Sequence, residues 1–254
     1  MENIIKSANA RLTEVLALWD NVDTITVIHF GENRLDPNFM VSYDVYLTGI
    51  IPSAEEREKL FHFGTMFETS VDDGKDRFMI DDLPVRVEYK NRDHVEKQIL
   101  AAADAGRGIR DESTYGYFRL VHSAVVFSRT PWRDQMVRNL SSIPREYWEN
   151  RTKRLRSRME HYLGDLTAAL YGDDQFFYLI SLAGFLNSVC ALIFAVNREF
   201  ETAPRSISSV VQTLPVQPPE FAGRFTNLLR DDTAVSRVRK RELAQLIARS
   251  MLYL

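Results

Sequence analysis

Apolar side chains at Ile4, Ile5, Ala8, Leu12, Val15, Leu16 and Trp19 recur at helical spacing, which predicts an amphipathic helix over residues 4–20. The β-branched run Thr24 to Phe30 predicts a strand that Gly31 closes. A turn signal at Asp36-Pro37-Asn38 separates it from a second strand, Ser42 to Gly49. Pro52 opens a short helix through Glu55, Arg57 and Leu60. The strand segments MFETS and KDRFMI follow, with a turn at Asp72-Asp73-Gly74 between them and another at Asp81-Asp82 after them. From Pro84 to Lys90 the chain alternates: Val85, Val87 and Tyr89 share one face, and Arg86, Glu88 and Lys90 the other.

Past Tyr117 the strand signal fades. Helical stretches are predicted over 119–128, 132–140, 145–170, 174–199, 219–230 and 233–253. Pro131, Pro144, Gly172 and a loop from Pro204 to Pro219 interrupt them. The pattern is that of an α+β chain. A small mixed sheet with flanking helices occupies residues 1–118, and an all-helical bundle occupies 119–254.

The stretch Phe176 to Val196 carries no charge and is long enough to span a bilayer. Asn187 and Ser188 sit near its middle, and the rest of the chain has a soluble character, so it reads as the buried central helix of the bundle rather than a membrane span. The N-terminus lacks a basic start followed by an apolar core, and Cys190 is the sole cysteine, so no intrachain disulfide can form. A reducing, cytoplasmic setting fits. A net charge of -3 gives no global attraction to nucleic acid. The histidines (His29, His62, His94, His122 and His161) show no two-His metal spacing on one helix face. Dinucleotide-binding, P-loop and hydrolase-elbow glycine motifs are absent.

Carboxylates on neighbouring strands are what nucleotidyl transfer uses to hold Mg²⁺ against a triphosphate. The string GEN…SYDVYLTG…FETS…KDRF…LPVRVEYK resembles the nucleotidyltransferase superfamily, as an uncharacterised branch of it. The segments YLGDLTAALYG and LIFAVNREFETAPRS resemble the helical domain such proteins carry behind the core. The resemblance implies a nucleotidyltransferase-like mixed sheet and a nucleoside triphosphate held between the two domains. It implies that Asp44 and Glu88 hold one Mg²⁺ or Mn²⁺ ion and act catalytically. Gly31, Glu32, Lys75, Arg77 and Arg86 would then meet the nucleotide, with Glu32 or Asp36 adding a metal ligand from the loop. A nucleoside monophosphate would pass to a hydroxyl on a small molecule, a protein or an RNA end.

Two positions depart from the pattern. Glu32 stands where the family has a small Gly or Ser, and Tyr46 stands where it has a second acid. A tyrosine is neutral near pH 7 and a poor Mg²⁺ ligand. The alternative is therefore an inactive descendant that binds a nucleotide or a protein. In a purely structural reading, Asp44 hydrogen-bonds a neighbouring loop and Glu88 pairs with Arg86, Lys90 or Arg77. The basic stretch Arg145, Arg151, Lys153, Arg154, Arg156 and Arg158 suits a triphosphate or an RNA backbone, but Glu146, Glu149 and Glu160 interleave it as in an ordinary solvated helix.

Overall fold

The computed structural model describes residues 2–30, 40–70, 74–104, 113–231 and 234–254. Gly31, Glu32, the Asp36-Pro37-Asn38 turn and the Asp72-Asp73 pair lie outside those residues. The elements run α1 (Glu2–Leu16), β1 (Val22–Phe30), β2 (Met40–Leu47), α2 (Ala54–Leu60), β3 (Thr65–Ser70), β4 (Lys75–Ile80) and β5 (Leu83–Asn91). Then come α3 (Arg92–Ala103), α4 (Tyr115–His122), β6 (Ala124–Ser128), α5 (Trp132–Ser141), α6 (Arg145–Tyr171) and α7 (Gln175–Val196). The chain closes with α8 (Ile207–Val210), α9 (Phe221–Leu229) and α10 (Arg237–Met251). The backbone divides into two compact units, Met1–Ala103 with Arg119–Ile143, and Asp104–Phe118 with Pro144–Leu254.

The first unit is built on a mixed six-stranded sheet of order β3-β4-β5-β2-β1-β6. β2 and β5 pair parallel, and every other neighbouring pair is antiparallel. The α+β architecture expected from the pattern is therefore present. Ala8, Leu12 and Leu16 form the buried stripe of α1. They belong to one core with Ile25, Val27, Val41, Tyr43, Val45, Val85 and Val87, which are the alternate positions of three strands. α2 starts at a capping box in which Ser53 and Glu56 satisfy each other's backbone N–H groups.

Among the described residues, the apolar side of the sheet contains one charge, Asp76, which is fully buried. Arg57 Nε donates to both its oxygens at 3.2 Å, the Tyr89 hydroxyl donates at 2.8 Å and the Thr69 hydroxyl at 2.6 Å. The remaining Arg57 nitrogens donate to Pro52 and Ser70 carbonyls and to Thr69. The cluster ties α2 to β3, β4 and β5 without leaving a charge unmet.

In the second unit, α6 and α7 form a helical hairpin, and α10 packs against α6 and α9. From Ser188 to Ala195 every residue of α7 is buried, whereas Phe176, Leu179 and Ile180 near its start are exposed. Among the described residues α7 is the one helix long and apolar enough to cross a membrane. Burial pushes the Cys190 thiol up to about 12, so it is a packed, unreactive side chain.

Elements β6, α3 and α8 differ from the sequence expectation, α8 lying within the loop predicted from Pro204 to Pro219. The predicted helix over 119–128 is instead the end of α4 followed by β6, because Val125-Val126-Phe127 is β-branched and aromatic and pairs with β1 as an edge strand. α3 occupies a stretch for which no helix was expected. The division also falls elsewhere than after residue 118: β6 extends the sheet and α5 contacts β1, so Arg119–Ile143 belong with the first unit.

Arg57→Ala strands the Asp76 carboxylate in the core. The expected loss is about 3–5 kcal/mol of stability, read as a lowered urea midpoint at unchanged slope.

Candidate functional site

The polar side of the sheet follows from register. In the parallel β2–β5 pair, Ser42 lies opposite Arg86, Asp44 opposite Glu88 and Tyr46 opposite Lys90. In the antiparallel β4–β5 pair, Lys75 lies opposite Glu88 and Arg77 opposite Arg86. Because directly paired residues point the same way, Asp44, Glu88, Lys75, Arg77 and Arg86 share one face. Those five are the described members of the set named from sequence. The other two, Gly31 and Glu32, are outside the described residues.

Asp44 is completely buried, as are Ser42 and Tyr46 beside it. A carboxylate in that position needs positive charge and hydrogen bonds around it. Arg119 of α4 supplies a fork: Nε donates to Oδ2 at 2.7 Å and Nη2 to Oδ1 at 2.8 Å, and Nη2 also donates to the Ser42 hydroxyl at 2.8 Å. Lys90 Nζ lies 2.8 Å from Oδ1 of Asp44 and 3.7 Å from Oε2 of Glu88. Arg86 Nη2 lies 3.0 Å from the other Glu88 oxygen. Two carboxylates are therefore met by three cations, and the ammonium of Lys90 lies between the two acids.

Tyr46 closes the floor. Its ring sits 5.1 Å from that of Trp132 on α5, and Lys90 Nζ lies 5.8 Å from its centre. Burial, reinforced by the negative charge of Asp44, holds its hydroxyl well above the usual phenol range. Trp132 is fixed in turn by Nε1 donating to Glu96 of α3 at 2.9 Å.

A divalent ion needs open carboxylate oxygens and has to tolerate its neighbours. Both oxygens of Asp44 already accept from Arg119 or Lys90, Glu88 is held by Arg86, and Tyr46 is neutral. Among the described residues no group of three His, Cys, Asp or Glu side chains converges as a metal site. As arranged, these residues do not fit a divalent ion. The ion pairs of Glu88 with Arg86 and Lys90 match the structural alternative. Asp44 meets side chains from α4 and β5 rather than a neighbouring loop.

Lys90, expected as an ion-pair partner of Glu88, also meets Asp44, and its place two residues from Glu88 on an alternating strand is the local signal for it. Arg119 gave no such signal, since it lies 75 residues from Asp44 on a separate helix.

No family model matches this chain. No curated protein matches it either. Among solved structures, it is similar in fold to a nucleotidyltransferase-like protein from Exiguobacterium sibiricum, with a TM-score of 0.53 and 10% identity. The match covers 98% of this chain and 74% of that one. The mixed sheet with flanking helices and a helical C-terminal region is thus a nucleotidyltransferase-like fold, and the likeness speaks to fold alone.

Asp44→Asn is expected to cost about 3–5 kcal/mol because it strands the buried Arg119, and Arg119→Met less, about 2–3 kcal/mol, because Lys90 still meets Asp44. The double variant should cost less than their sum in a denaturation cycle. Tyr46 and Tyr89 both have phenols raised by burial. The unfolded chain gives up those protons first, so the stability present at neutral pH falls as pH rises above about 10. An absorbance titration should show these two phenols ionising only with unfolding.

Proposed function

We propose that this chain is a nucleotidyltransferase-like protein that binds the phosphates of a nucleoside triphosphate on the cationic face of its sheet without a divalent ion. Lys75, Arg77 and Arg86 would meet the phosphates, and Lys90 and Arg119 hold Asp44. The observation that carries this reading is the ammonium of Lys90 between Asp44 and Glu88, where a metal-dependent relative would need its ion. Arg77 is exposed, and Lys75 and Arg86 are half-buried, so their charge is within reach of a ligand. Asp44 would then be a positioning residue rather than a catalytic one. The cytoplasm is the compartment we assign to it.

One observation favours a second reading. The register of Asp44 opposite Glu88 is the pairing that metal-dependent transfer of a nucleoside monophosphate to a hydroxyl would use. A small molecule, a protein or an RNA end would be the acceptor. Entry of Mg²⁺ or Mn²⁺ would require Lys90 and Arg119 to withdraw from Asp44.

Equilibrium dialysis with labelled ATP, GTP, CTP and UTP separates the two. Binding at low salt that persists in EDTA is expected, weakened as salt screens the phosphates. Arg77→Ala and Arg86→Ala should each weaken it about tenfold, the effect of one lost charge-assisted contact. Metal-dependent transfer of label to an acceptor, abolished in Asp44→Ala, would contradict the metal-free reading.

A further inference from the structure

A cationic concavity lies in the helical unit. Arg145, Trp148, Lys153 and Arg156 fall on one side of α6, and with Val196 and Arg198 at the end of α7 they line a cavity of about 560 Å³. That volume lies in the small-molecule range. Glu149 is the one acidic side chain among the lining residues, which also include Leu254, and Arg145 engages it one helical turn away. Other cations of α6 are met within the unit: Arg151 pairs with the buried Glu201, and Arg158 donates to the Ser188 hydroxyl at 3.1 Å. At the pocket, by contrast, Arg156 Nε is buried with no hydrogen-bond partner among the described residues.

Arg198 reaches this position at a conformational cost. α7 ends in a Schellman motif, with Arg198 N–H donating to the Ala195 carbonyl at 3.0 Å and Glu199 N–H to the Phe194 carbonyl at 3.0 Å. The motif puts Arg198 at φ 57°, the left-handed region where glycine is the least strained residue. Strain kept at a residue with a special side chain points to a use for that side chain. Three carbonyls at the helix end accept hydrogen bonds. Besides the two bonds above, the Ile193 carbonyl accepts from both the backbone N–H and the side-chain amide of Asn197.

We infer that this pocket binds a compact phosphorylated small molecule. Lys153, Arg156 and Arg198 take the phosphate, for which guanidinium groups are matched in geometry and charge. Trp148 and Val196 form the wall for the organic part. The inference stands independently of nucleotide binding on the sheet.

The test is a titration of the full-length chain with ribose 5-phosphate, and separately with inorganic phosphate, followed by the indole N–H resonances in NMR. Trp148 lines the pocket, whereas Trp132 lies beside Tyr46 on the sheet, so the two report different sites. A saturable shift of Trp148 with ribose 5-phosphate is expected. Arg198→Gly should weaken it about tenfold while leaving Tm unchanged or higher, since glycine relieves the left-handed backbone. Arg156→Gln should weaken it similarly. Tighter binding of ribose 5-phosphate than of inorganic phosphate supports the apolar wall, and equal affinity removes the wall's role and with it the small-molecule assignment. No saturable shift, a shift confined to Trp132, or equal affinity in Arg198→Gly and Arg156→Gln would overturn the inference.

Discussion

A carboxylate removed from water must be given positive charge, and much of the front unit is arranged around the way Asp44 receives it. β2 runs through the middle of the sheet, between β1 and β5, so a polar residue in it is covered on both sides. Desolvating such a group costs several kcal/mol. The fork from Arg119 and the ammonium of Lys90 offset that cost with short charge-assisted bonds. One of these partners comes from the adjacent strand and the other from α4, so the pairing requires β5 to lie parallel beside β2 and α4 to enter just before the edge strand β6.

The same solution recurs on the opposite side of the sheet. Asp76 is held by Arg57, Tyr89 and Thr69, with Arg57 Nε shared between its two oxygens. Asp44 and Asp76 thus each have an arginine as partner, as does a third buried acid of the sheet, Asp23, with Arg92. The difference between Asp44 and Asp76 is chemical. Asp76 sits within an apolar core and has a structural role. Asp44 sits beneath a row of half-buried or exposed cations, Lys75, Arg77, Arg86 and Lys90, with Glu68 opposite Arg77.

The alternation of Val85, Val87 and Tyr89 with Arg86, Glu88 and Lys90 was legible because a strand with one apolar side imposes a period of two, and the observed burial follows it residue by residue. The shared face of Asp44 and Glu88 was legible for the same reason, given the order of strands. The long helices α6 and α7 were legible from length and from the break at Gly172. β6 was not, since five residues, of which only Val125, Val126 and Phe127 are β-branched or aromatic, carry no periodicity, and their state is decided by the open edge of β1. Nor was the partnership of Arg119 with Asp44, because a contact between distant segments leaves no local pattern. Tyr46 could be read as a neutral neighbour of Asp44, but which cations meet Asp44 depends on contacts between distant segments.

The central claim is that Asp44 is neutralised by the protein's own side chains and offers nothing to a divalent ion. Electron paramagnetic resonance of Mn²⁺ titrated into the full-length chain tests this most directly, by counting the ions that remain free. The expected result is that the free-ion signal rises as in buffer, with no stoichiometric site. A tight site of one ion per chain that disappears in Asp44→Asn would contradict it.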